Sequence, residues 1–168
     1  VCYDLRDLGL DPAALAALET IAREVPEILS VAGTVVTPAQ VTDVKEAGAQ
    51  AVVSPGFSEA VDDAMRAAGL PWLPGVATAS DCMRAVAAGR LTCKFFPAEQ
   101  AGGTSALKAL SGPFPQMKFC PTGGVGLNNL ADYLALKQVI CVRGSWLVPA
   151  DANVKSGWAP ETSAAKEA

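Results

Sequence analysis

One lysine, Lys94, interrupts the apolar run T-C-K-F-F-P-A-E at residues 92–99. The chain contains no histidine, so the commonest general base and the commonest transition-metal ligand are both absent. On an edge strand such a lysine would deter aggregation, and on a half-buried strand its amine would reach water. Facing the interior of a closed barrel it would be partly desolvated, which disfavours the ammonium form. A free amine forms imines with carbonyl substrates, so Lys94 is the candidate catalytic residue.

Two glycine-bearing turns follow later strand-like runs. Residues 121–124 read P-T-G-G, and residues 144–145 read G-S. Glycines let backbone N–H groups approach a phosphate closely, and a following helix N-terminus would add a favourable dipole. An ordinary strand-to-helix turn is the alternative, but phosphate sites in barrels often follow the last two strands. We therefore expect a phosphate to be bound by Thr122, Gly123, Gly124 and Ser145.

Two other residues could hold a carboxylate or a carbonyl oxygen. Thr34 lies at the end of a strand-like run, where its hydroxyl could donate a hydrogen bond to the substrate. Arg6 is the candidate carboxylate clamp, because a guanidinium group matches a carboxylate bidentately. Strand packing for Thr34 and a lone surface arginine for Arg6 are the alternatives.

The elements that must position these residues follow from the hydrophobic pattern. Short apolar runs alternate with alanine-rich stretches of helical period, which predicts successive βα units. The predicted strands are residues 1–5, 31–36, 51–54, 72–74, 91–96, 118–121 and 139–142. The predicted helices are residues 12–24, 38–47, 58–68, 80–87, 105–110 and 130–137, with N-caps expected at Asp11, Thr37, Ser80 and Ser105.

The repeat favours an α/β fold of the (β/α)8 TIM-type barrel class with about seven recognisable strands. An open dinucleotide-binding sheet is disfavoured, because no G-x-G-x-x-G follows the first strand. The length of 168 residues suits a single domain. We expect that domain to lack its N-terminal βα unit and to carry a C-terminal extension at residues 150–168. In such barrels the site lies at the C-terminal ends of the strands.

The composition argues against several other classes of protein. A hydrophobic fraction of 51% favours an ordered globule. A net charge of −4 without a basic stripe argues against a nucleic-acid partner. The sequence has no apolar run long enough to span a membrane and no signal-peptide pattern. We therefore expect a cytoplasmic protein without a membrane partner. Five cysteines without a C-x-x-C pair indicate neither a disulfide framework nor a zinc site. No metal is expected.

Several motifs of the chain, taken together, resemble those of one enzyme family. They are A-G-T-V at residues 32–35, S-P-G at 54–56, L-P-G at 73–75, K-F-F-P-A-E at 94–99, G-P-F at 112–114, F-C-P-T-G-G at 119–124 and G-S-W-L-V-P at 144–149. In this order they resemble the class I 2-keto-3-deoxy-6-phosphogluconate (KDPG) aldolases, which include the 4-hydroxy-2-oxoglutarate (KHG) aldolases.

The resemblance implies a homotrimeric (β/α)8 barrel that uses no metal or cofactor. It implies cleavage of a 2-keto acid phosphosugar, KDPG, to pyruvate and glyceraldehyde 3-phosphate. Lys94 matches the Schiff-base lysine, Thr34 the residue at the pyruvyl part and Phe96 the aromatic beside the imine. The phosphate pocket is matched by Thr122, Gly123, Gly124 and Ser145.

The first residues depart from the family pattern. Members carry a Glu-x-x-x-Arg segment that supplies the base and the carboxylate clamp, whereas this chain has Cys2 at the glutamate position before Arg6. Asp4, which shares strand parity with Arg6, and Glu99 are the alternative bases. Two other functions stay open: a degenerate relative that forms the imine with little turnover, and a non-catalytic phosphosugar-binding subunit.

Overall fold

The computed structural model describes residues 2–4 and 12–144, with side chains from residue 14 onward. Arg6, the cap expected at Asp11, Ser145 and the extension expected at 150–168 lie outside these residues. Two compact units divide the chain, the first extending to Lys94 and the second beginning at Phe95. The described part has no helix both long and apolar enough to cross a membrane.

The first unit alternates strands with helices. Its elements are β1 (Cys2–Asp4), α1 (Pro12–Glu24), β2 (Val31–Gly33), α2 (Pro38–Glu46), β3 (Ala51–Val53), α3 (Glu59–Ala68), β4 (Trp72–Leu73), β5 (Gly75–Val76) and α4 (Ala79–Ala87). The strands β1 to β4 form one sheet in that order, and all three pairings are parallel. The parallel α/β fold predicted from the sequence is therefore confirmed. The predicted strand at 72–74 is replaced by two short strands that meet at Pro74, which has no N–H group to donate.

Local capping explains where two of these helices begin. Thr37 caps α2 as predicted, and Gln40 completes the capping box. The cap of α4 is Thr78 and not the predicted Ser80. The hydroxyl of Thr78 accepts a hydrogen bond from the N–H of Asp81, and the Asp81 carboxylate accepts one from the N–H of Thr78. Burial acts to raise the pKa of Asp81, but the hydrogen bonds that its carboxylate accepts from the Thr78 hydroxyl and from the N–H groups of Ala77 and Thr78, together with the charge of Arg84, hold that pKa below its usual value.

The core of the first unit lies between the sheet and its helices. Ala32 and Val52, at the centres of β2 and β3, belong to one buried cluster with Val44 of α2 and Met65 of α3. Burying one such aliphatic side chain contributes about 1.5–3 kcal/mol, so a sheet of three-residue strands gains much of its stability from the helices that cover it.

The second unit repeats the same alternation. It begins at Phe95, the last residue of β6 (Thr92–Phe95). It also contains α5 (Gly103–Ser111), β7 (Lys118–Pro121) and α6 (Leu130–Leu134). The cap of α5 is Gly102, and the prediction of Ser105 is wrong because the helix begins earlier. The strand predicted at 139–142 is present only as two parallel bridges, Phe119 to Val139 and Thr122 to Arg143. Twenty residues separate the first pair and twenty-one the second, so an extra residue bulges out and interrupts the ladder.

Candidate active site

Lys94 lies within β6, and its side chain is almost completely enclosed. The residue is 4% exposed, and the preceding Cys93 is fully buried. The N–H of Lys94 donates to the carbonyl oxygen of Pro74 at 2.8 Å, which aligns β6 with the 72–76 segment of the first unit. Burial also raises the pKa of the Cys93 thiol to about 12, with a smaller contribution from Cys82. Cys93 is thus an inert thiol, and Lys94 stays the candidate nucleophile of this strand.

Thr34 lies at the C-terminal edge of the parallel sheet of the first unit. It follows Gly33, whose Cα pairs with Asp4 on one side and with Val53 on the other. Thr34 has a φ of 61°, in the left-handed region that a β-branched residue rarely adopts. Such strain is concentrated at functional sites, where the surrounding structure enforces it.

A buried hydrogen-bond network supports the backbone beside Thr34. The Ser54 hydroxyl donates to the carbonyl oxygen of Val35 and accepts from the indole N–H of Trp72 at 2.8 Å. A cavity of about 170 Å³ adjoins this network and is lined mostly by apolar side chains from residues 35–36, 54–58, 61 and 72. Lys94 is not among the lining residues, so this cavity is not assigned to the amine chemistry.

The glycine turn, defined here as residues 121–124, lies in the second unit. The N–H of Thr122 donates to the carbonyl oxygen of Phe95 at 3.0 Å, and Thr122 is buried. Gly123 and Gly124 have φ values of 98° and 78°, which only glycine adopts without strain. Among the acceptors in residues 12–144, none receives the N–H of Gly123 or Gly124. Two adjacent amides of this kind can bind an anion.

Phe96 and the residues that follow it enclose the glycine turn. A Cβ added to Gly123 would lie 3.4 Å from two carbons of the Phe96 ring and 3.4 Å from the Ala98 nitrogen. The N–H groups of Ala98 and Glu99 donate to the carbonyl oxygens of Thr122 and Gly123 at 2.8 and 3.1 Å. The structure therefore brings together the predicted residues Phe96, Thr122, Gly123 and Gly124.

The helix after the turn begins at the residue that the sequence predicted. The first residue of α6 is Leu130, and the segment between is fixed by Asn129, which accepts from the Gly126 N–H at 2.8 Å and donates to the Gly124 carbonyl at 3.1 Å. The expected contribution of a helix dipole stays a prediction. The backbone amides of Gly123 and Gly124 are the groups of the turn itself that could attract an anion.

Sequence reasoning missed two residues near the turn. Tyr133 of α6 donates its hydroxyl hydrogen to the Glu99 carboxylate, across 34 residues of chain. Arg143 is bridged to Thr122, and its N–H donates to the Pro121 carbonyl at 3.0 Å, so its backbone lies beside the turn. The arginine before G-S was visible in the sequence, whereas no local pattern indicates the tyrosine.

The cysteines are not all inert. Cys82 and Cys120 are buried like Cys93, but Cys141 is exposed. A hydrogen bond from the Cys120 thiol lowers the pKa of Cys141 to about 7, against the opposing effect of burial.

Among the described side chains, no group of three or more cysteine, aspartate or glutamate residues could hold a metal ion. The absence of a metal stays a prediction.

Comparison with known proteins is consistent with this geometry. A family model described as KDPG and KHG aldolase matches residues 10–162. The KHG/KDPG aldolase of Escherichia coli K12 is 48% identical over 155 residues, which cover 92% of this chain and 73% of that protein.

Two solved structures are also similar. The KDPG aldolase of Legionella pneumophila, with pyruvate captured at low pH as a covalent carbinolamine intermediate, has a TM-score of 0.87 and 45% identity over 91% of this chain and 74% of its own. The Zymomonas mobilis ZM4 enzyme with 3-phosphoglycerate has a TM-score of 0.86 and 40% identity over 93% of this chain and 73% of its own. The TIM-type fold class and the lyase class predicted from the sequence are thereby confirmed. The chain belongs to the KDPG and KHG aldolase family.

Proposed function

We propose that this protein is a class I aldolase that cleaves KDPG to pyruvate and glyceraldehyde 3-phosphate through an imine on Lys94. The observation that carries the proposal is one amine, 4% exposed, in the K-F-F-P-A-E strand of a chain without histidine. The Legionella relative, which held pyruvate as a covalent carbinolamine, supports the same chemistry. The family also includes enzymes for 4-hydroxy-2-oxoglutarate, which is the second candidate substrate.

In the proposed mechanism the Lys94 amine attacks the C2 ketone. The carbinolamine loses water to give a protonated imine, which draws electrons from the C3–C4 bond. A base takes the proton of the C4 hydroxyl as that bond breaks, which releases glyceraldehyde 3-phosphate and leaves an enamine. Protonation at C3 and addition of water then release pyruvate and restore the lysine.

Asp4 is the base that we favour among the two alternatives. Its Cα pairs with that of Gly33, so its backbone lies at the strand edge next to Thr34. Thr34 would hold the pyruvyl part, and Arg6 would bind the substrate carboxylate through two hydrogen bonds. If Asp4 is the base, Asp4→Asn should lose cleavage while Lys94 still forms the imine.

The phosphate would be bound by the glycine turn and Ser145. The amides of Gly123 and Gly124 have no acceptor in the described part of the chain, and Thr122 would add a hydroxyl. Phe96, which encloses Gly123, would lie beside the imine. The bound 3-phosphoglycerate of the Zymomonas relative supports a phosphorylated ligand.

Assembly and location belong to the same proposal. We expect one domain and a homotrimer, as the family resemblance implies, and a cytoplasmic protein. The buried unpaired thiols of Cys82 and Cys93 support a reducing compartment. Sedimentation equilibrium would test the trimer, which a monomeric mass would contradict.

A coupled assay tests the proposed function. Lactate dehydrogenase and NADH report pyruvate as it is released from KDPG or from 4-hydroxy-2-oxoglutarate. Steady turnover of KDPG supports the proposal. A specific observation, Cys2 at the position of the family glutamate, favours the degenerate enzyme as the second function. An imine that forms on Lys94 without turnover would support that enzyme, and phosphosugar binding without an imine would support the non-catalytic subunit.

A further inference from the structure

The glycine turn needs support from outside its own backbone. Gly123 and Gly124 have positive φ values, and glycine loses more conformational freedom on folding than any other residue. Gly124 is also exposed. A turn that must present two amides to a ligand therefore depends on neighbours that limit its alternative conformations.

The backbone after β6 supplies the first part of that support. Ala98 and Glu99 donate successive N–H groups to the carbonyl oxygens of Thr122 and Gly123. Ala98 is fully buried, so packing fixes the position of the backbone that donates these two bonds. These bonds orient the carbonyl groups of the turn and leave its amides directed elsewhere.

The Glu99 side chain supplies the second part. A Cβ added to Gly124 would lie 2.6 Å from the Glu99 Cγ and 2.7 Å from its Cβ, so the glutamate stem occupies the space beside that glycine. The carboxylate of Glu99 accepts a hydrogen bond from the Tyr133 hydroxyl. A Cβ added to Gly103 would also lie 3.4 Å from the Glu99 Oε1. Packing on one side and the tyrosine on the other leave the glutamate little freedom.

Tyr133 is a firm anchor for that carboxylate. Its side chain is 0% exposed in α6. Burial, the hydrogen bond to Glu99 and the charge of Glu99 all raise the pKa of the Tyr133 hydroxyl. The tyrosine therefore keeps its proton and continues to donate throughout the neutral pH range.

We propose that Glu99 and Tyr133 form a positioning pair that holds the glycine turn in its phosphate-binding conformation and so selects phosphorylated 2-keto acids. This inference rests on the proposed function. A carboxylate repels a phosphate, so Glu99 does not bind the ligand and acts instead through Gly124. The pair should affect recognition of the phosphate and leave the chemistry at Lys94 unchanged.

The test compares KDPG, which carries a phosphate, with 4-hydroxy-2-oxoglutarate, a shorter 2-keto acid that ends in a carboxylate and has no phosphate. Glu99→Ala should raise KM for KDPG about tenfold, because it removes both the stem beside Gly124 and the hydrogen bond that anchors that stem. It should leave kcat for KDPG and both constants for 4-hydroxy-2-oxoglutarate within about twofold. Tyr133→Phe should raise KM for KDPG in the same direction. Glu99→Gln keeps the stem and an acceptor oxygen, so it should restore KM to near that of the unaltered protein.

Asp132→Asn is the matched control, because it removes an exposed carboxylate from the same helix one residue before Tyr133. It should change neither KM. Equal changes for both substrates in Glu99→Ala and Tyr133→Phe, or no change in either, would overturn the inference. A defect in Glu99→Gln as large as that in Glu99→Ala would overturn it as well, since charge would then matter and not the anchored stem.

Phosphate binding separates this inference from the proposed function. Titration with inorganic phosphate, followed by ³¹P NMR, does not require turnover. Weaker binding to Glu99→Ala than to the unaltered protein supports the positioning pair even if neither substrate is cleaved. Equal binding to both proteins contradicts it, whatever the aldolase assay shows.

Discussion

Lys94 and the glycine turn differ in what holds them in place. Lys94 lies in a regular strand, is almost fully buried and is aligned by a backbone bond to Pro74. The turn has two glycines of positive φ and is braced by Glu99 and Tyr133 from other segments of its unit. A nucleophile needs a fixed, desolvated position, whereas an anion site needs backbone amides that no other group uses. The two regions should therefore respond differently to substitution.

The largest difference should come from Lys94→Met, which keeps an apolar stem but removes the amine. Cleavage of KDPG and of 4-hydroxy-2-oxoglutarate should both fall by at least about a thousandfold, because no imine can form. Lys108→Met, at an exposed lysine of α5, is the control and should retain activity. The coupled pyruvate assay measures both variants. Residual activity within about tenfold of the unaltered protein would contradict the assignment.

The strand that aligns Lys94 should tolerate no added volume at Gly75. A Cβ there would lie 2.0 Å from the carbonyl oxygen of Pro55, which is backbone and cannot rotate away. Gly75→Ala should lower the free energy of unfolding by about 3 kcal/mol. Gly56→Ala, with no atom within 4 Å of the added carbon, should change it by less than about 0.5 kcal/mol. Urea denaturation tests the pair, and equal losses would contradict the close packing.

The glycine turn should show a smaller and partly reversible effect. Gly124→Ala should lower the free energy of unfolding by about 2 kcal/mol, from backbone strain and from contact with the Glu99 stem. Gly69→Ala has a similar φ but no atom within 4 Å of the added carbon, so about 1 kcal/mol is expected. Adding Glu99→Ala to Gly124→Ala should remove the contact with the Glu99 Cγ at 2.6 Å and leave that with its Cβ at 2.7 Å, so part of the loss should be recovered. Strict additivity of these two substitutions in urea denaturation would contradict contact between the residues.

The smallest effect concerns the thiols of the two regions. Only thiolates react with iodoacetamide, so a thiol becomes reactive as the pH rises through its pKa. The pKa of Cys141 is about 7, whereas burial raises that of Cys93 to about 12 and that of Cys82 to about 11. Labelling of Cys141 should therefore rise between about pH 6 and pH 8 while the other two stay unlabelled. Peptide mass spectrometry that finds Cys93 labelled first would contradict this order.

The sequence predicted the regular elements well because their signals are local. The residues of α1 match the prediction of 12–24, and those of β7 match that of 118–121. Helix starts were less predictable where two caps compete. Thr78, and not Ser80, caps α4 because Asp81 lies three residues after the threonine and completes a capping box.

The candidate site residues could be selected from the sequence where residue type alone indicates chemistry. An amine in an apolar strand indicates an imine site and paired glycines after a strand indicate a phosphate site, and both stay predictions. The support of the turn was not predictable, because Glu99 and Tyr133 are joined only by folding. The strain at Thr34 was equally hidden, since a β-branched residue gives no sign of a positive φ.

The central claim, that Lys94 forms an imine with a 2-keto acid, is tested most directly by chemical trapping. The protein is incubated with saturating pyruvate and reduced with borohydride, and intact mass and peptide mapping locate any adduct. We predict one reduced three-carbon adduct per chain, on Lys94, and none in Lys94→Met. An unmodified chain, or an adduct on another lysine, would contradict the account.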